Sequence, residues 1–136
     1  MKNTDLVTDY INRAGHRLEA VRLLFQKNSF ADVVRESQEV VELCLKALLR
    51  ASNIEVPRIH DVSAILQDQK SRLPQVIQPQ VDHLAKISKS LRRDRELAFY
   101  GTEDLTPSDF YNQEDAQKAL DGASSVYDLC QSALED

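Results

Sequence analysis

Apolar residues recur at three- and four-residue intervals over most of the chain, and the interruptions between these runs are short. That spacing is the period of an α-helix with one buried face. Leu6, Tyr10, Ile11, Ala14, Leu18, Val21 and Phe25 follow it until Lys27-Asn28, which predicts a first helix over about residues 4–26. A second and stronger stripe, Val33, Ser37, Val40, Val41, Cys44, Leu45, Leu48 and Leu49, runs to Ala51, with Ser29 as its expected cap. With only three Gly, four Pro and 6% aromatics, a turn-rich sandwich or barrel is disfavoured. The expected fold class is all-α, an up-and-down bundle of four to five helices.

The 136 residues suit a single helical domain spanning 1–136. A domain of that length hides roughly two-thirds of the surface its unfolded chain exposes, enough for one core. No stretch reaches the ~20 apolar residues of a membrane helix, and MKNTDLVTDY lacks the apolar run of a signal peptide. A soluble, cytoplasmic protein without membrane contact is the expectation. Cys44 and Cys130 lie on apolar helical faces and are expected as small buried hydrophobes rather than as a disulfide.

Ser52 to His60 breaks the periodicity and contains Pro57, so it reads as a loop delivering Asp61 as the cap of a short third helix with Val62, Ile65 and Leu66 inward. Pro74 suits the first turn of a fourth helix, while Pro79 either kinks that helix or marks its true start. Helical spacing then runs from Val81 through Leu84, Ile87, Leu91 and Leu97-Ala98, with Gly101 as the expected C-cap. Thr102 to Tyr111 is expected as a loop. Asn112 can cap a last helix whose inward face is Ala116, Ala119, Leu120, Ala123, Val126, Tyr127 and Cys130.

Charge is distributed unevenly. Thr102 to Asp136 holds nine acids and one lysine, net −8, which leaves +3 on residues 1–101 of the chain's −5. Between Lys86 and Arg95, five bases stand against the single acid Asp94. Such a local density could attract phosphate, although a solvated helix face is the commoner cause of such a run. Arg92, Arg93 and Arg95 could bind it bidentately, because a guanidinium stays charged and matches two oxygens at once. The competing reading pairs Arg93 or Arg95 with Asp94, Glu96 or an acid of the last helix. Tyr100 could stack a base beside the arginines, or merely pack beside Gly101. His60 next to Asp61 reads first as support for its turn and second as an accessory group. His16 and His83 stand alone, Glu39 and Glu42 read as a solvated or lysine-paired face, and no zinc or calcium spacing occurs. Neither a Gly-rich phosphate loop nor a Gly-x-Ser-x-Gly elbow is present, so no cofactor, metal or catalytic residue is assigned.

Arg35-Glu-Ser-Gln-Glu-Val-Val-Glu-Leu-Cys-Leu-Lys-Ala-Leu-Leu, then Pro57-Arg-Ile-His60-Asp61-Val, resembles the corresponding part of HEPN domains, where such a helix runs into a loop closing on His-Asp. Leu91-Arg-Arg-Asp-Arg-Glu-Leu-Ala-Phe-Tyr100-Gly101, followed by Pro107, Tyr111 and Asp115-Ala116, is similar to that family's arginine helix and its returning helix. The likeness spans nearly the whole chain and is closest to the small stand-alone prokaryotic type. It implies a homodimer whose arginine-bearing helix ends face one cleft, links to nucleotides or RNA, and often a small nucleotidyltransferase as partner. Ribonuclease members carry Arg, four to six residues, then His; a toxin branch of toxin–antitoxin pairs has Arg-x4-His-x-Tyr, which the partner modifies.

Aligned from Arg93, this chain has Ala98 where the histidine belongs and Tyr100 where the tyrosine belongs. Metal-free RNA cleavage needs a base for the 2′-hydroxyl proton and an acid for the leaving oxygen. An alanine methyl supplies neither, and a tyrosine with a pKa near about 10 is a poor substitute. The leading expectation is therefore a non-catalytic nucleotide- or RNA-binding dimer, or a nucleotidyltransferase partner, using Arg92, Arg93, Arg95 and Tyr100, with Tyr100 as the candidate modification site. One alternative is a metal-independent endoribonuclease toxin that pairs Arg93 with Tyr100 or His60. The other is a purely structural interaction module in which the basic helix end packs on the acidic final segment.

Overall fold

In the computed structural model, residues 4–56, 61–100 and 106–135 are described, with 93–100 described by their backbone. Six α-helices occur among them: α1 (Thr4–Gln26), α2 (Phe30–Ala51), α3 (Val62–Asp68), α4 (Val81–Tyr100), α5 (Pro107–Phe110) and α6 (Gln113–Leu134). Single 3₁₀ turns at Lys70–Arg72 and Gln78–Gln80 lie between α3 and α4. The four long helices and α3 form an all-α bundle, as the periodicity requires.

Helix α2 is its central member and packs against α1, α6 and α4. Twelve of its 22 residues are buried, too many for a helix covered on one side. Leu45, Leu48, Leu49, Val40 and Cys44 are wholly enclosed. Leu18 and Val21 of α1, Leu84 of α4, and Ala123, Val126 and Cys130 of α6 complete the core around them. Each buried leucine or valine contributes roughly 1.5–3 kcal/mol over its exposed state.

Two helix ends are decided by asparagine. At the end of α1, Ser29 N–H donates to Leu24 C=O (2.9 Å), Asn28 N–H donates to Phe25 C=O (3.0 Å), and Asn28 has φ 62°. At the end of α2, the same pair of bonds joins Ile54 to Leu49 (2.9 Å) and Asn53 to Arg50 (3.0 Å), with Asn53 at φ 59°. Both are Schellman terminations with asparagine in the left-handed position usually held by glycine. The second carries its hydrophobic contact, since Ile54 is buried in the core.

Several local expectations are met and others change. Asp61 caps α3 through Ser63 N–H (3.0 Å), and Asn112 caps α6 through Asp115 N–H (2.9 Å) in a reciprocal capping box. Ser29 occupies the cap position of α2, but its hydroxyl donates to Asp32 Oδ2 (2.7 Å) instead of accepting a backbone N–H. Helix α4 begins at Val81, not at Pro74. A helix opened at Pro74 would place Pro79, which has no N–H, where a donor is needed, so the chain turns first and enters α4 through the 3₁₀ turn containing Pro79. The segment expected as loop contains α5, started by Thr106, whose N–H and hydroxyl both donate to Asp109 Oδ2 at 3.1 and 2.9 Å. Gly101 and its expected cap lie outside the described residues.

Cys44 and Cys130 are both free and buried. Burial, and secondarily the neighbouring Cys130 sulfur, pushes the Cys44 thiol far above its ordinary range. Burial pushes Cys130 up to about 12. These are core side chains, inert as nucleophiles near neutrality.

Candidate functional site

The basic stretch occupies the second half of α4, which stays helical through Tyr100. Helical register makes Lys86–Lys89, Lys89–Arg92, Lys89–Arg93 and Arg92–Arg95 neighbours three or four positions apart. Each such like-charge pair destabilises a helix by about 0.2–0.5 kcal/mol. By the same register, Arg93 and Tyr100, seven positions apart, lie on one side of the helix axis two turns from each other. The side chains of Arg93, Arg95, Ala98 and Tyr100, and all of His60, lie outside the described residues.

Arg92 is described. Its Nη1 stands 3.7 Å from Asp61 Oδ1, with the two side chains 47% and 38% exposed. That separation exceeds a hydrogen bond, and a pair so exposed is worth only about 0–1 kcal/mol. The same oxygen accepts from Ser63 N–H (3.0 Å) and from the Ser63 hydroxyl (2.8 Å). Asp61 is thus held by its cap, while the guanidinium keeps donors free toward solvent. Arg92 has an acidic neighbour and remains able to bind an anion.

Sequence reasoning sought a partner for Arg93 or Arg95 among Asp94, Glu96 and the last helix, a pairing that lies outside the described residues. For Arg92 the described contact comes from the cap of α3, which packs along α4. Elsewhere, Arg17 Nη1 bonds Glu36 Oε1 at 2.9 Å, Arg35 also pairs with Glu36, and Lys46 sits 3.6 Å from Glu42. The carboxylate row of α2 is accordingly drawn into surface pairing, one of the two readings given for Glu42.

Sequence reasoning missed a groove between α4 and α6, where His83 Nε2 and Ser125 Oγ meet at 3.4 Å across the two helices. His83 stands alone in the sequence, because nothing in the chain's local pattern announces a partner 42 positions away. Among the described residues, no group of three or more His, Cys, Asp and Glu side chains could hold a metal ion. Among the same residues, no helix is long and apolar enough to cross a membrane.

An all-helical bundle with a basic fourth helix whose arginines are followed by a tyrosine defines a class of small helical domains. The model of the HEPN domain matches residues 7–133, and the chain belongs to that family. It is 28% identical over 137 residues to a Methanocaldococcus jannaschii protein named "Putative toxin MJ1304", covering 93% of this chain and 87% of that protein. No solved structure gives a significant match.

Proposed function

We propose that this HEPN-domain chain is a binding module that holds the phosphates of a nucleotide or of an RNA end through Arg92, Arg93 and Arg95, with Tyr100 beside them. Accumulated like charge on α4 carries the reading. Four same-sign neighbour pairs cost helix stability, whereas an anion bound there turns each repulsion into attraction. In a homodimer with the two helix ends facing each other, the cluster is doubled. Ala98 in the family's histidine position favours binding over cleavage.

The deciding experiment is fluorescence anisotropy of a labelled short RNA, and separately of a labelled nucleotide, titrated over a range of salt. Affinity should fall with salt with a log–log slope near −0.7 for each phosphate neutralised on a single strand. Replacing each arginine by glutamine should weaken binding and flatten the slope. Absence of binding at low salt rejects the proposal.

A second reading is favoured by the toxin name of the archaeal relative: a toxin cleaving RNA without a metal, with Arg93 and either Tyr100 or His60. Induced expression should then arrest growth, and Arg93→Ala should restore it. Unharmed growth with intact cellular RNA rejects this reading. A small nucleotidyltransferase partner would show as a mass increase on Tyr100 after co-expression with a neighbouring gene of that type.

A further inference from the structure

Helices α4 and α6 come close at Gly122, where α6 has no side chain. A Cβ added at Gly122 would meet Ile87 Cγ2 at 3.2 Å, tighter than an ordinary van der Waals contact. Over that contact, between the two helices, runs a groove of about 510 Å³. This lies within the roughly 300–1,000 Å³ typical of small-molecule sites. Its floor is apolar: Val34, Leu91 and Ala119 are nearly enclosed, and Ile87 packs on the core beside them. Tyr111 lines it as well, and the His83–Ser125 contact bridges its two walls.

The polar groups on the walls are not equivalent. Lys86 stands on α4 and Lys118 on α6, and neither ammonium has a carboxylate partner among the described residues. The two acids of the lining each accept a hydrogen bond from α6 or its cap. Asp115 accepts the Asn112 N–H (3.0 Å) as half of the cap of α6, and Asp121 accepts from Gln117 Nε2 (2.8 Å). A ligand covering the floor would remove water from both lysines, which is unfavourable unless it brings them a negative charge. A wholly apolar ligand fails that test. A cationic one would set its charge against these two ammonium groups.

We propose that the α4–α6 groove binds a small amphipathic anion, with an aryl or acyl body on the Val34–Ile87–Leu91–Ala119 floor and one carboxylate or phosphate between Lys86 and Lys118. Arg92 does not line the groove. The site is tested through Lys86 and Lys118, neither of which is among the arginines proposed above to hold phosphate, so the two readings can fail separately.

Amide NMR titrations of the full chain with 1-naphthyl phosphate, 1-naphthoate and the neutral 1-naphthalenemethanol test this. Both acids should give saturable shifts centred on Ile87, Ser90, Ala119, Gly122 and Ser125. The tighter of the two identifies the head group. The neutral alcohol should bind about tenfold or more weakly, as should either acid to the Lys86→Gln, Lys118→Gln double variant, whose substitutions are on exposed positions and spare the core. Filling the groove with Ser90→Phe should abolish the shifts with the circular dichroism unchanged, and the arginine-to-glutamine variants of α4 should leave them intact. Scattered or absent shifts, equal binding of the neutral alcohol, or full affinity in the double-lysine variant overturns the proposal. Sedimentation showing a second copy seated in the groove and excluding both acids overturns it too.

Discussion

Arg92 Nη1 and Asp61 Oδ1 lie 3.7 Å apart, joining the arginine-bearing helix to the cap of α3. The oxygen that faces the guanidinium is the one that accepts from Ser63 N–H and hydroxyl. A single carboxylate therefore starts one helix and sets a counter-charge beside the basic stretch of another.

The two roles of Asp61 separate by substitution. Asparagine caps a helix about as well as aspartate but carries no charge, and an ion pair this exposed is worth about 0–1 kcal/mol. Asp61→Asn should stay within about 0.5 kcal/mol of the parent in urea unfolding, whereas Asp61→Ala loses the cap and about 1 kcal/mol. Phosphate-ligand affinity at low salt should rise in Asp61→Asn, since Arg92 no longer faces a competing carboxylate.

Gly15 in α1 lies under Tyr127 of α6. A Cβ there would come 2.8 Å from the Tyr127 hydroxyl oxygen and 3.2 Å from the carbon bearing it. Gly→Ala inside a helix ordinarily gains about 0.5–1 kcal/mol, but at this position the phenol must move. Gly15→Ala should fail to raise the melting temperature of the parent, and should do better in the Tyr127→Phe background, where the nearest atom is gone. Equal effects in both backgrounds would show that α1 and α6 do not meet in this register.

Ser37 is completely buried on α2, and its hydroxyl finds no hydrogen-bond partner among the described residues. An unsatisfied buried hydroxyl costs about 1–3 kcal/mol, and alanine removes it with little loss of volume while favouring the helix. Chemical denaturation of Ser37→Ala should therefore give a stability at or above that of the parent. A loss of more than about 1 kcal/mol would mean that the hydroxyl is bonded after all.

The buried thiols make stability depend on alkaline pH. In the unfolded chain a thiol ionises near its ordinary value of 9.0, whereas in the fold Cys130 is held protonated up to about 12 and Cys44 is raised as well. Above pH 9 the unfolded state therefore binds fewer protons than the native state, and stability falls as pH rises toward 12. The fall should be shallower in Cys44→Ala, Cys130→Ala measured alongside the parent. At pH 8 neither thiol should react with a water-soluble disulfide reagent until the protein is unfolded.

The elements that were legible in the sequence are those whose stabilising contacts are local. The long helices follow from three- and four-residue apolar spacing, and the caps at Asp61 and Asn112 from side chains that reach only two or three residues along the chain. Helix α5 was equally local, with threonine, proline and aspartate in a capping arrangement, but four residues are too few to show a period. At Lys27-Asn28 the break was legible. The left-handed asparagine that makes it was not singled out, because asparagine is a less frequent carrier of that conformation than glycine.

The chain's own pattern determined that it is helical, where most helices begin and end, and that Arg92, Arg93 and Arg95 fall close together on one of them. Those outcomes depend on backbone hydrogen bonds and side-chain caps spanning at most a few residues. Only the tertiary structure decided which distant residues meet, Asp61 with Arg92, Gly15 with Tyr127 and His83 with Ser125, and that Lys86 and Lys118 line a common groove. Those pairings depend on how apolar faces of several helices settle against α2, and apolar burial has no direction of its own, so no local spacing encodes them.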